Sequence, residues 1–133
     1  MRTFANCIYL LAMSILLSGC SSCFQQPEAD ANYGSPPVNY ELAIKEYFES
    51  VLIDSESARY KFSQPVKAYE NEGLLAGGEV LWLGYLIETQ VNAKNRLGGY
   101  VGYQPYVVLF KGNDIYRVQK MDWAYATLIH RAE

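Results

Sequence analysis

Val80-Leu81-Trp82-Leu83-Gly84-Tyr85-Leu86-Ile87-Glu88-Thr89-Gln90-Val91 is the longest β-rich run in the chain. Its first part is apolar on both faces, as in a central strand with one side covered by a helix. Gly84 interrupts the side chains and predicts a bulge or a close approach of backbone. This run decides the fold, because the segments around it have to supply its neighbours.

Upstream, Tyr40, Ala43, Ile44, Tyr47, Phe48, Val51 and Leu52 recur at three- and four-residue spacing, while Glu41, Lys45, Glu46 and Glu49 fall elsewhere. The pattern predicts an amphipathic helix over about 40–53, with Asn39 as its N-cap and Glu41 favouring its positive end. The polar side is acidic, so the apolar face suits a core better than a membrane surface. Asp54-Ser55-Glu56-Ser57-Ala58 breaks the period and predicts a turn. Arg59-Tyr60-Lys61-Phe62 alternates, which is a strand with both rings on one side. Pro65 follows, so the short strand near Val66–Tyr69 is expected at an edge or as a separate segment. Glu70-Asn71-Glu72-Gly73 has turn chemistry, and Glu70 with Glu72 and Asp54 with Glu56 are expected to be solvated acids.

Downstream, Gln104-Pro105 leads into a second buried strand, Tyr106–Phe110. Lys111-Gly112-Asn113-Asp114 predicts a hairpin loop and Ile115–Val118 the returning strand. Asp122 is placed to cap a short closing helix through Trp123, Tyr125, Leu128 and Ile129. The expectation is therefore an α+β domain. An N-terminal amphipathic helix packs on a small antiparallel sheet of about four to five strands, with a short C-terminal helix.

The start of the chain carries a different signal. Met1-Arg2-Thr3 is a positive n-region, Phe4–Leu17 an apolar h-region, and Leu17-Ser18-Gly19-Cys20 ends in small residues and Cys. This tetrapeptide resembles the lipobox of bacterial lipoproteins. The resemblance implies cleavage after Gly19, a diacylglyceryl thioether on Cys20 and acylation of the new amino group. Several acyl chains make a stable anchor where one is marginal. The competing readings are an ordinary cleaved signal and an uncleaved membrane helix, for which Asn6 and the polar residues from Ser18 leave the apolar run short. Ser21, rather than Asp, follows Cys20. By similarity to lipoproteins of enteric bacteria, this points to the outer membrane.

Residues 1–19 are thus expected to be a lipoprotein signal peptide, 20–38 a lipidated flexible tether rich in Ser, Gln, Pro and Gly, and 39–133 a single domain. Of the three cysteines, Cys7 leaves with the leader, Cys20 takes the lipid, and Cys23 is left alone. No internal disulfide is then available, so packing has to hold the domain. Cys23 is left to stay free, pair with a second chain or take a further acyl group.

The chain of 133 residues holds 11 Lys and Arg against 14 Asp and Glu, a formal charge of −3. That balance argues against a nucleic-acid partner. His130 is the only histidine and has no Cys or second His at ligand spacing, so no metal site and no Ser-His-Asp set are expected. It is expected at the surface or chain end. No cofactor motif is present: Gly98-Gly99-Tyr100-Val101-Gly102 lacks the GxGxxG spacing, and no Gly-Lys-Ser/Thr follows.

Residues 92–106 form a long polar, Gly-rich excursion between two buried strands. Asn92 and Asn95 suit turns, and Gly98, Gly99 and Gly102 allow positive φ. Tyr100, Tyr103 and Tyr106 bring rigid area with hydroxyl handles, and Lys94 and Arg96 add positive charge. Asn92, Lys94, Asn95, Arg96, Tyr100, Tyr103 and Tyr106 are therefore the candidate binding residues; no residue is a candidate for catalysis. Two stretches carry a second resemblance. Asp54–Phe62 resembles a "DPxSAxFxF" pattern, with Ser55 in place of Pro, and Asn92–Tyr106 resembles the block "VNAKNxxGGYxGYxPY". Both occur in a family of small, uncharacterised exported lipoproteins and secreted proteins of bacteria, and the likeness covers most of residues 44–110. The resemblance implies export and brings no reaction and no catalytic residues.

The expected function is a non-enzymatic envelope lipoprotein that binds or supports another envelope component through loop 92–106, with its acyl chains in the membrane. The alternative is a module that binds a small ligand or inhibits a cell-wall hydrolase. A cell-wall-active enzyme ranks last, since the catalytic set is missing.

Overall fold

A computed structural model describes residues 24–122 and 128–132. The elements are α1 (Tyr40–Val51), a 3-10 turn (Ser55–Ser57), β1 (Arg59–Phe62), β2 (Val66–Asn71), a second 3-10 turn (Leu74–Ala76), β3 (Val80–Asn92), β4 (Gln104–Lys111), β5 (Asp114–Lys120) and β6 (Ile129–Arg131). They make a mostly β domain with one helix among the described residues. The leader, Cys20, Cys23 and residues 123–127 of the expected closing helix lie outside the described residues. Ile129, expected to end that helix, belongs to β6.

The six strands pair antiparallel in the order β5-β4-β3-β2-β6, and β1 also pairs with β3. β3 is central, as its two apolar faces predict. Its 13 residues outrun any one partner. β1 pairs with Thr89–Asn92 and β2 with Val80–Leu86, so the two lie end to end along one edge. Pro65 falls in the gap, where its missing N–H breaks the ladder. Ser63 bridges the break: its N–H donates to Glu88 O at 2.9 Å, and Glu88 N–H donates to the Ser63 hydroxyl at 2.9 Å. β4 and β5 close through Gly112-Asn113. Gly112 has φ 62°, as the first central residue of a type II′ turn requires.

Side chains alternate across β3 and split the core in two. Tyr85, Ile87 and Val91 join Val108, Phe110 and the helical Ile44 and Phe48 on one face. Trp82 and Leu86 join Ala68, Val107 and Leu109 on the other. The buried stripe of α1 is narrower than its periodicity predicts, because Tyr47 and Val51 remain exposed. Asn39 occupies the cap position, yet its side chain makes no cap hydrogen bond. At the 3-10 turn, by contrast, the Asp54 carboxylate accepts from Ser57 N–H at 3.2 Å.

Gly84 is a site of close approach, not of a bulge. A Cβ there would stand 2.2 Å from Phe110 O and 2.4 Å from the Trp82 indole. Trp82 folds over the missing side chain, and Ala68 pairs with Gly84 across the ladder.

Several expectations need correction. The sheet has six strands, because β6 adds to the outer side of β2, which is therefore internal and not an edge. Glu70 and Asn71 are not in a turn; they continue β2 and are buried at 3% and 1% exposure. Glu70 is thus no solvated acid: Arg117 Nη1 of β5 donates to its Oε1 at 2.6 Å, supplying the charge a buried carboxylate needs. The helix is not at the start of the described residues, since residues 24–39 precede it and themselves lie on the domain. Gln25 N–H donates to Gly78 O at 3.0 Å, and the Asn71 amide donates to both Gln25 O (2.8 Å) and Gly78 O (3.0 Å). Val38 N–H donates to Asn113 Oδ1, Pro37 is buried, and Tyr33 packs against the helix-side core.

Gly84→Ala is expected to lower the free energy of unfolding by about 2–3 kcal/mol, because neither Phe110 O nor the indole has room to retreat. Urea denaturation reads this directly, and a loss under about 0.5 kcal/mol would show that the strands part easily. A pH dependence follows from Tyr60, stacked on Phe62 at 5.8 Å. Burial first, and the Glu49 carboxylate second, raise its phenol above the ordinary 10.0. The folded state then holds this proton more tightly than the unfolded one. Its contribution is complete below pH 10 and is lost as pH rises through the raised value. Tyr60→Phe should make the decline of Tm above pH 10 shallower.

Candidate functional site

Asn92 ends β3 and Gln104 begins β4, and the chain between them is ordered by amides. The Asn95 side-chain oxygen accepts from Leu97 N–H (2.9 Å) and Gly99 N–H (3.2 Å). Asn95 N–H donates to Gly99 O and Gly98 N–H to Asn95 O, each at 2.9 Å, while Gly98 takes φ 79°. Lys94 and Tyr100 form a β-bridge at the base, so 94–100 is a small hairpin of its own. Asn92 Oδ1 then accepts from Gly102 N–H at 3.0 Å, with Gly102 at φ 89°. Asn92 and Asn95 thus act as turn-formers inside the loop.

A second set of bonds pins this hairpin to the turn before β1. The Ser57 hydroxyl accepts from Lys94 N–H at 3.0 Å and donates to Asp54 O at 2.8 Å. The Tyr100 hydroxyl donates to Ser57 O at 3.2 Å. Residues 54–62 and 92–106 are therefore in direct contact.

The surface that results is aromatic and cationic. The Arg59 guanidinium lies 4.5 Å from the Tyr100 ring centre and Lys94 Nζ lies 5.6 Å from it. Lys61 Nζ lies 4.2 Å from the Tyr103 ring centre. Each such contact contributes about 0.5–1 kcal/mol at an exposed site and holds the ring in place. Tyr100 and Tyr103 remain exposed, Arg96 is exposed beside them, and Leu97 at the tip is almost wholly so. Tyr106 departs from this group. It lies in β4, half-buried, with its ring edge-on to Phe48 at 5.0 Å, and so belongs to the core.

Arg59 and Lys61 belong to the site although the sequence places them in a separate strand. Their alternation with Tyr60 and Phe62 turns them away from the helix. Only the pairing Arg59↔Asn92 and Lys61↔Gln90 brings them beside the loop. Four of the chain's 11 Lys and Arg residues gather here, which gives an acidic protein one basic face. A small groove of about 220 Å³ adjoins it, lined by Val51, Ile53, Val101 and Tyr106 among others.

A larger cleft of about 710 Å³ lies over β2 and β6, where residues 26–33 arch above Lys67, Tyr69 and His130. His130 is not an open surface residue. Its ring sits 5.1 Å from Tyr69 and 5.7 Å from Phe24, with Nε2 buried and unpartnered. Burial, and then the neighbouring Tyr69, raise the Tyr33 phenol above its ordinary value. Among the described residues, no three His, Cys, Asp or Glu side chains gather closely enough to hold a metal ion, and no helix is long and apolar enough to cross a membrane. Comparison of the chain with protein-family models, with curated proteins and with solved structures finds no match.

Ser57→Ala removes the acceptor of Lys94 N–H and should free the hairpin without unfolding the sheet. The expected cost is about 1 kcal/mol. Amide exchange at Lys94 should speed up several-fold while exchange at Ile87, deep in β3, stays unchanged; equal effects at both positions would place Ser57 in the global fold instead.

Proposed function

We propose that this protein is a non-enzymatic lipoprotein of the bacterial cell envelope, anchored through acylated Cys20 and reaching the outer membrane. It binds another envelope component through loop 92–106. The Leu17-Ser18-Gly19-Cys20 resemblance supports the anchor, and Ser21 supports the outer membrane. The observation that carries the binding role is that the loop's two exposed tyrosines are already fixed. Asn92 and Asn95 order the backbone, Ser57 pins it, and Arg59, Lys61 and Lys94 hold the rings. A surface ordered before binding loses little conformational entropy when it engages. Aromatic rings beside guanidinium and ammonium groups suit a partner that offers carboxylates, phosphates or planar polar groups.

The second reading, a module that takes a small ligand or inhibits a cell-wall hydrolase, has the 710 Å³ cleft in its favour. Its tyrosine hydroxyls, Lys67 and the unpartnered His130 Nε2 are all hydrogen-bonding groups. A cell-wall-active enzyme remains the weakest reading, because the sequence offers no paired catalytic groups.

Capture from cross-linked envelopes tests the proposal. The native lipoprotein is expected to retain a defined partner band, and Tyr100→Ala with Tyr103→Ala to reduce it at least tenfold. Unchanged capture would remove the loop from the mechanism and favour the cleft. Peptidoglycan zymography, if positive, would overturn the non-enzymatic reading.

A further inference from the structure

We infer that the lipid anchor and the tyrosine face occupy opposite ends of the domain. The molecule then stands on end on its bilayer, with the 72–79 turn against the lipid and loop 92–106 presented outward. This rests on lipid attachment at Cys20.

Composition alone makes residues 20–38 a spacer that would let the domain turn freely. The contacts of residues 24–38 leave little freedom. Phe24 packs against His130, Gln25 N–H is bonded to Gly78 O, and the buried Asn71 amide holds Gln25 O. Phe24, four positions after Cys20, is therefore held on the domain. Four residues reach at most about 14 Å. An acyl anchor at Cys20 accordingly keeps the place where Phe24 and Gln25 dock close to the bilayer surface.

That place is the beginning of β3. Gly78, which accepts from Gln25, stands two residues before Val80, whereas loop 92–106 follows Asn92 at the strand's far end. Thirteen residues of strand at about 3.3 Å each separate the two by roughly 40 Å. This is about the thickness of a whole bilayer. The loop cannot fold back to its own leaflet while residues 24 and 25 remain docked.

The surface of the anchored end fits lipid. The turn between β2 and β3 runs Glu72-Gly73-Leu74-Leu75-Ala76-Gly77-Gly78-Glu79, with no Lys or Arg. Leu75 is fully exposed there, and Leu81, at the start of β3, is half-exposed. An exposed leucine within reach of the anchor has an apolar phase beside it, and its burial there is favourable. The two glutamates gain nothing from anionic headgroups, so the contact is apolar and not electrostatic. The basic face lies at the other end, where it meets a component that stands off the bilayer, not the headgroups of the anchoring leaflet.

The test uses the processed, lipidated protein from Cys20 onward in phosphatidylcholine vesicles and in vesicles with one-third phosphatidylglycerol. Cys23→Ser leaves no free thiol in the processed chain, because Cys7 leaves with the signal peptide and Cys20 is blocked by its thioether. Leu75→Cys or Leu97→Cys then carries an environment-sensitive fluorophore, and brominated lipids serve as quenchers. Quenching is expected to be several-fold stronger at 75 than at 97 in both vesicles. Equal quenching, stronger quenching at 97 in the anionic vesicles, or none at either position overturns the orientation. Mass spectrometry of the same sample separates the two levels of failure. Acylated Cys20 without quenching at 75 sinks the orientation alone, whereas unacylated Cys20 sinks the anchor and the orientation with it.

Discussion

The backbone of β3 imposes the arrangement of everything else. Thirteen extended residues carry a row of N–H and C=O groups on each edge, and a buried strand cannot leave them unpaired. No single partner matches that length, so one edge is divided between β1 and β2 and the other is served by β4 as far as Tyr85. Each seam is closed by a side chain. Ser63 lends its hydroxyl where Pro65 breaks the first ladder, and Lys111 donates to Leu83 O at 2.8 Å where the second ends. Gly84 lies at that second seam, which is why a Cβ there would strike both Phe110 and Trp82.

Because β3 is long, its ends are structurally distinct. The start gathers the N-terminal segment through Asn71, whose amide joins Gln25 to the nearby Gly78. The end launches the loop, whose rings are fixed by cations from β1. Charge is distributed accordingly. Glu70 is buried only because Arg117 reaches it from β5, and the exposed Arg131 pairs with Glu88. By contrast, Arg59, Lys61 and Lys94 sit over tyrosine rings instead of carboxylates. A cation on a ring keeps its full charge and can serve a ligand's anionic groups as well.

Several features of the fold are legible in the chain alone. The double-sided apolar run is the central strand, the 3.6-residue period over Tyr40–Val51 is the helix, and Lys111–Asp114 is the hairpin. Gly84 is a close approach, as isolated strand glycines often are. Each is a local pattern whose cause lies within a few residues. Asn92, Lys94, Asn95, Arg96, Tyr100 and Tyr103 are likewise identifiable as one unusual loop. Tyr106 misleads because a tyrosine leaving a loop has the same composition whether its ring points to solvent or to Phe48.

What the amino-acid sequence by itself determined is the helix, the central strand with its β4–β5 hairpin, and the membership of the loop, because periodicity, turn residues and motif spacing are short-range properties. Only the tertiary structure decided that Arg59 and Lys61 join the tyrosines, that Glu70 and Asn71 are buried, that β6 covers β2, and that residues 24–38 lie on the domain. Each of these depends on strand register or on partners 40 or more residues away, such as Arg117 for Glu70. A linker composition of Ser, Gln and Pro predicts freedom because it buries little surface. It does not predict a buried asparagine elsewhere in the chain whose free donors capture that linker's carbonyl.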